Sequence, residues 1–256
     1  MSDAQVQSTA DGAILFDAAA CGGARPDAAW FDAAHWAAVG RAEARSGGRG
    51  GVAFVETPAG ACVLRHYHRG GLAARVSADK YLWTGATRTR SFREFRLLDQ
   101  LVATGLPVPA PVAARYSRNG VNYMADLIVR RIASVETLAE RLARGRLDAS
   151  LASRVGTTIA RFHAAGACHA DLNAHNILVD ERDFVSLIDF DRGTLRTPAL
   201  AWQQANLSRL RRSLLKLGAL KREPDFEISI WHPLLAAYHA ALAVHPVAHA
   251  ARGAPQ

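Results

Sequence analysis

The stretch that most constrains this chain is His169-Ala170-Asp171-Leu172-Asn173-Ala174-His175-Asn176-Ile177-Leu178-Val179, followed after a short interval by Leu187-Ile188-Asp189-Phe190-Asp191. Ahead of it, Asp148 is suited to cap a helix carrying Leu151, Val155, Ile159 and Phe162 at helical spacing and ending near Gly166. Behind it come two short apolar runs, Ile177 to Val179 and Phe184 to Ile188, joined by the polar turn Asp180 to Asp183. A helix, a polar loop and a hairpin therefore carry three oxygen-bearing side chains, Asp171, Asn176 and Asp189, at set intervals. Turn hydrogen bonds and a strand end account for each of them singly. All three in one apolar frame point to a built site.

The upstream half reads differently. Residues 26–45, with Trp30, Phe31, Trp36 and Val39, have the pattern of a short helix or two, and the Arg/Gly loop Ser46 to Gly51 follows. Val52 to Val55 and Ala61 to Tyr67 are strand-like runs about a Thr57-Pro58-Ala59-Gly60 turn, which makes a hairpin. Ser91-Phe92-Arg93-Glu94 has the form of a capping box, and Phe92, Phe95, Leu98, Leu101 and Val102 then follow at helical spacing until Gly105 and Pro107. Val121 to Ile132 reads as a strand, and Ser134 as the cap of a helix reaching about Arg144. From Pro198 onward a helix carries Trp202, Leu207, Leu210, Leu214, Leu217 and Leu220 as its apolar set. Strands plus one helix, then mostly helices with a small hairpin, predict an α+β fold of two lobes, residues 1–132 and 133–256, with a cleft between them.

Half of the 256 residues are apolar and the formal charge is +8, so the chain reads as globular with a surface that attracts anions. Only Lys80, Lys216 and Lys221 are lysines, so the positive charge is nearly all arginine, the better fork for phosphate and carboxylate. Cys21, Cys62 and Cys168 lack metal-ligand spacing and read as reduced thiols. The first residues carry acids rather than a basic and apolar leader, and no apolar run approaches the ~20 residues of a membrane span. A cytosolic or peripheral protein is the expectation.

The two motifs resemble the protein-kinase catalytic loop H-x-D-L-x-x-x-N and the metal-binding D-F-G strand. That resemblance implies a bilobal protein-kinase-like fold, with an N-terminal antiparallel sheet and one main helix before a mainly helical C-terminal lobe. It implies Mg²⁺ held with ATP by Asn176 and Asp189, and Asp171 taking the proton of an acceptor hydroxyl. His163 and His169, flanking the loop, are candidates for holding Asp171 through backbone hydrogen bonds. Arg65 stands where protein kinases carry the lysine of V-A-I-K, with Lys80 as the alternative, and Glu94 is either its partner or no more than a capping residue. Gly48 and Gly50 could bring backbone N–H groups to the triphosphate. Ala170 and Asp191 replace residues used in activation-loop control, which implies a constitutively competent small-molecule kinase.

Further stretches narrow the likeness: Arg65-His66-Tyr67-His68-Arg69-Gly70-Gly71-Leu72, Tyr81-Leu82-Trp83, Thr89 to Phe95, Gly105-Leu106-Pro107-Val108-Pro109-Ala110-Pro111, and Asp189-Phe190-Asp191-Arg192-Gly193. Together they resemble the lipopolysaccharide kinase family that phosphorylates 3-deoxy-D-manno-octulosonic acid (Kdo). The resemblance implies transfer of phosphate from ATP to the 4-hydroxyl of Kdo on a lipid A precursor, at the cytoplasmic face of the inner membrane, with peripheral contact to anionic lipid and no nucleic-acid partner. Arg192 and His175 are the candidate acceptor contacts. Two other readings remain at this point: a related sugar or aminoglycoside kinase, and a non-catalytic anion-binding module.

Overall fold

In a computed structural model of the chain, residues 4–43, 51–67 and 80–244 are described. They fall into two compact units, Met1–Ala133 and Ser134–Gln256. Gly48 and Gly50 lie outside the described residues.

The first unit contains β1 (Ala4–Ser8), β2 (Gly12–Asp17), a 3-10 turn (Ala28–Phe31), α1 (Ala33–Ala38), β3 (Ala42–Glu43), β4 (Val52–Thr57), β5 (Gly60–His66), β6 (Tyr81–Leu82), α2 (Arg90–Ala103), β7 (Pro111–Asn119) and β8 (Asn122–Arg130). The strands form one antiparallel sheet in the order β1-β2-β7-β8-β5-β4-β3, with β6 paired to β8. The expected hairpin is β4–β5, with Thr57 opposite Gly60. Phe92, Phe95, Leu98 and Leu101 bury one face of α2, whereas Val102 is 40% exposed and belongs to the other. The β1–β2 hairpin extends the sheet beyond β7.

Because side chains alternate along a strand, neighbours on β5 point to opposite faces. Leu64 faces a cluster that includes Ile14, Phe16, Trp30, Phe31, Trp36 and Ile128. His66 shares that face: its Nδ1 lies 2.6 Å from Asp126 Oδ1, and Arg115 donates from Nε and Nη2 to Asp126 Oδ2 at 3.0 and 2.8 Å. A carboxylate only 2% exposed needs both partners. A cavity of about 250 Å³ opens beside this trio, walled by Phe31, Val52, Ala53 and Leu64. Arg65, one residue away, points to the other face.

The second unit contains β9 (Val135–Thr137), α3 (Leu138–Ala143), α4 (Ala149–Ala164), β10 (Ala167–Cys168), β11 (Ile177–Asp180), β12 (Val185–Leu187), β13 (Thr194–Leu195), α5 (Leu200–Lys216), α6 (Ala219–Arg222), a π-helical turn (Glu227–Trp231) and α7 (His232–Val244). Asp148 caps α4, accepting from Leu151 N at 2.8 Å. α4 and α7 touch backbone to backbone at Gly156, where a Cβ would stand 2.1 Å from the Leu234 carbonyl oxygen. The predicted hairpin is β11–β12, with Ile177 opposite Leu187.

Three local expectations are corrected. Ser134 is not a helix cap: Thr137 is, in a reciprocal capping box with Glu140. The Ser91–Glu94 capping box does not form: α2 begins at Arg90, and Ser91 Oγ donates to the Arg115 carbonyl at 2.8 Å. The helix after Pro198 stops at Lys216, because Gly218 turns left-handed (φ 84°) and leaves Leu220 54% exposed on α6. The fold class stands as expected: an antiparallel sheet with one main helix, then a mostly helical unit, as in a protein-kinase-like fold. All three cysteines are buried free thiols, and burial pushes Cys21 up to about 12.

Asp126→Asn keeps the shape and removes the charge that Arg115 and His66 share. We expect a loss of about 3 kcal/mol in denaturant unfolding; a change below about 0.5 kcal/mol would show that the trio does not hold the sheet face together.

Candidate active site

In the second unit the polar loop between β10 and β11 is organised by His169. The backbone N–H of Asp171 donates to His169 Nδ1 at 3.1 Å. That nitrogen is therefore the bare one, and Nε2–H donates to the Ile188 carbonyl 2.9 Å away. One buried imidazole thus ties the residue before Asp189 to the backbone of Asp171. Asn176 closes the loop from the other end, its Nδ2 donating to the Asp171 carbonyl at 2.9 Å. The Ile188 N–H donates to the Asn176 carbonyl at 3.0 Å, which extends the β11–β12 ladder to Asp189.

Asp189 sits at a left-handed φ of 64°, a region that Asp and Asn enter more readily than other side chains. The next residue, Phe190, is 1% exposed, stacks on Phe162 at 5.7 Å and leans on His169 at 4.7 Å. Those aromatic contacts fix the turn that carries Asp189. Asn176 spends its amide on the loop, which leaves its Oδ1 as an oxygen donor. Among the described residues no three His, Cys, Asp or Glu side chains form a metal cage. An amide oxygen and a carboxylate suit a hard cation that takes its other ligands from water and phosphate, as Mg²⁺ does.

Asp171 itself is exposed, with 61% of its side chain open. Its Oδ2 accepts from Asn173 Nδ2 at 3.0 Å and its Oδ1 from Arg209 Nη1 at 3.1 Å. Each oxygen keeps a lone pair, so the carboxylate can meet a hydroxyl from solvent. Arg209 comes from α5, whose Asn206 and Ser213 also grip the loop. Asn206 Nδ2 donates to the His169 carbonyl at 3.0 Å, and Ser213 Oγ accepts from Ala174 N at 3.1 Å. Asn206 Oδ1 faces His163 Nε2 at 3.3 Å, while His163 Nδ1 meets the Tyr238 hydroxyl at 2.9 Å. His163 therefore supports the loop at second hand, through Asn206.

In the first unit, Arg65 and Tyr67 leave β5 and the residue just after it on one face and converge on Glu94 of α2. Arg65 Nη1 lies 2.7 Å from Glu94 Oε1, and the Tyr67 hydroxyl donates to Oε2 at 2.5 Å. The Glu94 side chain is 1% exposed and that of Arg65 21%, so the carboxylate is buried and its cation reaches out. Glu94 chooses Arg65 rather than Lys80, which is exposed and makes no ion pair among the described residues. Arg192 (φ 62°) and His175 are also exposed, and neither side chain has an ion pair among the described residues.

Sequence reasoning missed Tyr67, Asn206, Arg209 and Ser213. The last three stand three and four residues apart on α5, a polar stripe beside the apolar Leu207, Leu210 and Leu214. In the sequence Arg209 is one of six Lys and Arg residues between positions 209 and 222, with nothing in the spacing to single it out.

The chain matches the family model described as lipopolysaccharide kinase (Kdo/WaaP) over residues 33–238. It is 53% identical over 217 residues to a 3-deoxy-D-manno-octulosonic acid kinase of Stenotrophomonas maltophilia, which covers 84% of this chain and 85% of that one. Kinases of the same name from Xanthomonas euvesicatoria and Xanthomonas oryzae are each 51% identical, again over 84% of this chain and 85% of theirs.

Burial pulls His163 down to about 4 from its usual value near 6.5. The unfolded chain therefore binds a proton near pH 6.5 that the folded chain refuses until about pH 4, so this residue stabilises the fold above pH 6.5 and loses that contribution as pH falls toward 4. The full effect is about 3 kcal/mol. In His163→Gln the unfolding free energy should vary less steeply over that window than in the wild type. Parallel profiles would contradict it.

Proposed function

The chain belongs to the lipopolysaccharide kinase (Kdo/WaaP) family, and on that premise we propose that it moves the γ-phosphoryl group of ATP to the 4-hydroxyl of a Kdo residue on a lipid A precursor. It is an ATP-dependent kinase, a transferase of lipopolysaccharide biosynthesis. The acceptor position and the residue roles that follow are our reading.

The observation that carries it is the closed loop in which Asn176 Nδ2 and His169 Nδ1 hold the backbone of Asp171 while the Asp171 carboxylate stays open to solvent. Asp171 accepts the proton of the acceptor hydroxyl; that oxygen bonds to the γ-phosphorus, and the bond from phosphorus to the β-phosphate oxygen breaks to release ADP. Asn176 Oδ1 and the Asp189 carboxylate are the groups that would hold Mg²⁺, which when bound neutralises charge on the β- and γ-phosphate oxygens. Arg65, oriented by Glu94, would bind phosphate oxygens through its remaining donors, since an arginine fork does this as readily as a lysine point charge. Gly48 and Gly50 retain their proposed place near the triphosphate, and Arg192 and His175 theirs near the acceptor.

Among the described residues no helix is long and apolar enough to cross a membrane. We place the protein at the cytoplasmic face of the inner membrane as a peripheral enzyme: its acceptor is lipid-linked, and a net charge of +8 favours an anionic surface.

Incubation with Mg-ATP and a Kdo-lipid A precursor, followed by two-dimensional NMR of the product, should place the new phosphate on C4. A phosphate on another carbon would remove the regiochemical assignment, and turnover of an aminoglycoside in preference to the Kdo acceptor would remove the acceptor. Asp171→Asn should lower kcat at least ~10²-fold with the melting temperature kept. Glu94→Gln should raise the KM for ATP about tenfold by loosening Arg65; an unchanged KM would mean that the pair serves the fold alone.

A further inference from the structure

Arg209 is placed with more care than a surface charge requires. It stands on α5 between Asn206 and Ser213, which bind the loop at His169 and at Ala174, on either side of Asp171. With both flanking contacts fixed, the helix delivers the guanidinium to the Asp171 carboxylate at 3.1 Å. The two side chains are 47% and 61% exposed, so the pair adds little to stability. Its neighbour Arg211 is instead spent on Glu227, and Arg192, the sequence-based candidate for the acceptor carboxylate, makes no such contact.

Resting on the Kdo reading above, we propose that Arg209 selects the acceptor by binding its carboxylate while keeping hold of Asp171. The acceptor acid carries its carboxylate at C1, three carbons from C4. When the 4-hydroxyl reaches Asp171, two carboxylates come within a few ångströms of each other. Left alone they repel, and the acceptor is refused. A guanidinium between them reverses the sign: one N–H serves Asp171, and its other donors remain for a paired contact to the sugar acid. The same cation repels a polycationic acceptor such as an aminoglycoside, so one residue supplies both attraction and exclusion.

The test compares a lipid-linked Kdo acceptor with its carboxyl methyl ester, using the wild-type enzyme, Arg209→Gln and Arg209→Lys at saturating Mg-ATP. We expect the wild type to show a KM roughly tenfold to a hundredfold lower for the acid than for the ester. Arg209→Gln should raise the KM for the acid by that factor and leave the KM for the ester near its wild-type value, with Arg209→Lys in between. Equal use of acid and ester by the wild type overturns the proposal. So does an Arg209→Gln enzyme whose KM for ATP, measured separately by varying ATP at saturating acceptor, rises instead, which would make the residue a phosphate ligand, or one whose kcat falls alike on both acceptors, which would make it only a positioner of Asp171. Absence of turnover on either Kdo compound by the wild type sinks the acceptor assignment as well, whereas turnover without preference for the acid sinks this inference alone.

Discussion

The contact on which the proposed chemistry depends is the pair of hydrogen bonds made by His169, one accepted from the Asp171 N–H and one donated to the Ile188 carbonyl. Asp171 and Asp189 are eighteen residues apart in sequence and belong to different elements. A neutral imidazole bridging their backbones sets one against the other without using either carboxylate. Around it the supports are layered: Phe190 leans on the ring, Asn206 holds the His169 backbone, His163 holds Asn206, and Tyr238 holds His163. Each outer layer is more buried and more neutral than the carboxylate it serves. The Asp171 carboxylate is therefore exposed at its tip and fixed at its root.

Two buried carboxylates of the first unit show how alternation on one strand separates different demands. His66 and Arg115 neutralise Asp126 on one face of the sheet, against the aromatic cluster of Trp30, Phe31 and Trp36. Arg65 pairs with Glu94 on the other, where the Tyr67 hydroxyl donates to its second oxygen. A polar group in so dry a setting costs free energy unless such hydrogen-bond partners meet it. Both trios hold a strand against what covers it, and each leaves its arginine about one-fifth exposed, on opposite faces of the sheet.

Glu94 also shows why local sequence rules stop short. Ser91 and Glu94 have capping-box spacing, and nothing within four residues tells the two readings apart. The choice is made by β5 and β7, whose Arg65 side chain and Arg115 carbonyl take the two groups first. A buried ion pair and a strand carbonyl outcompete a solvent-exposed cap. At Ser134 and Thr137 the competition ran within the segment itself, and Thr137 won because it alone has a glutamate three residues on.

By itself the sequence determined what depends on short-range pattern: the β4–β5 and β11–β12 hairpins, the apolar face of α2, the cap at Asp148, and the spacing that marks Asp171, Asn176 and Asp189. Period and turn chemistry are local quantities, and so they were legible. Tertiary structure alone decided that Glu94 pairs with Arg65 rather than Lys80, that β1 and β2 extend the sheet, and that Arg209 of all the basic residues after Leu207 reaches Asp171. These choices turn on which groups meet across long stretches of chain, where burial and the pairing of charge fix the outcome and residue spacing carries no record of it.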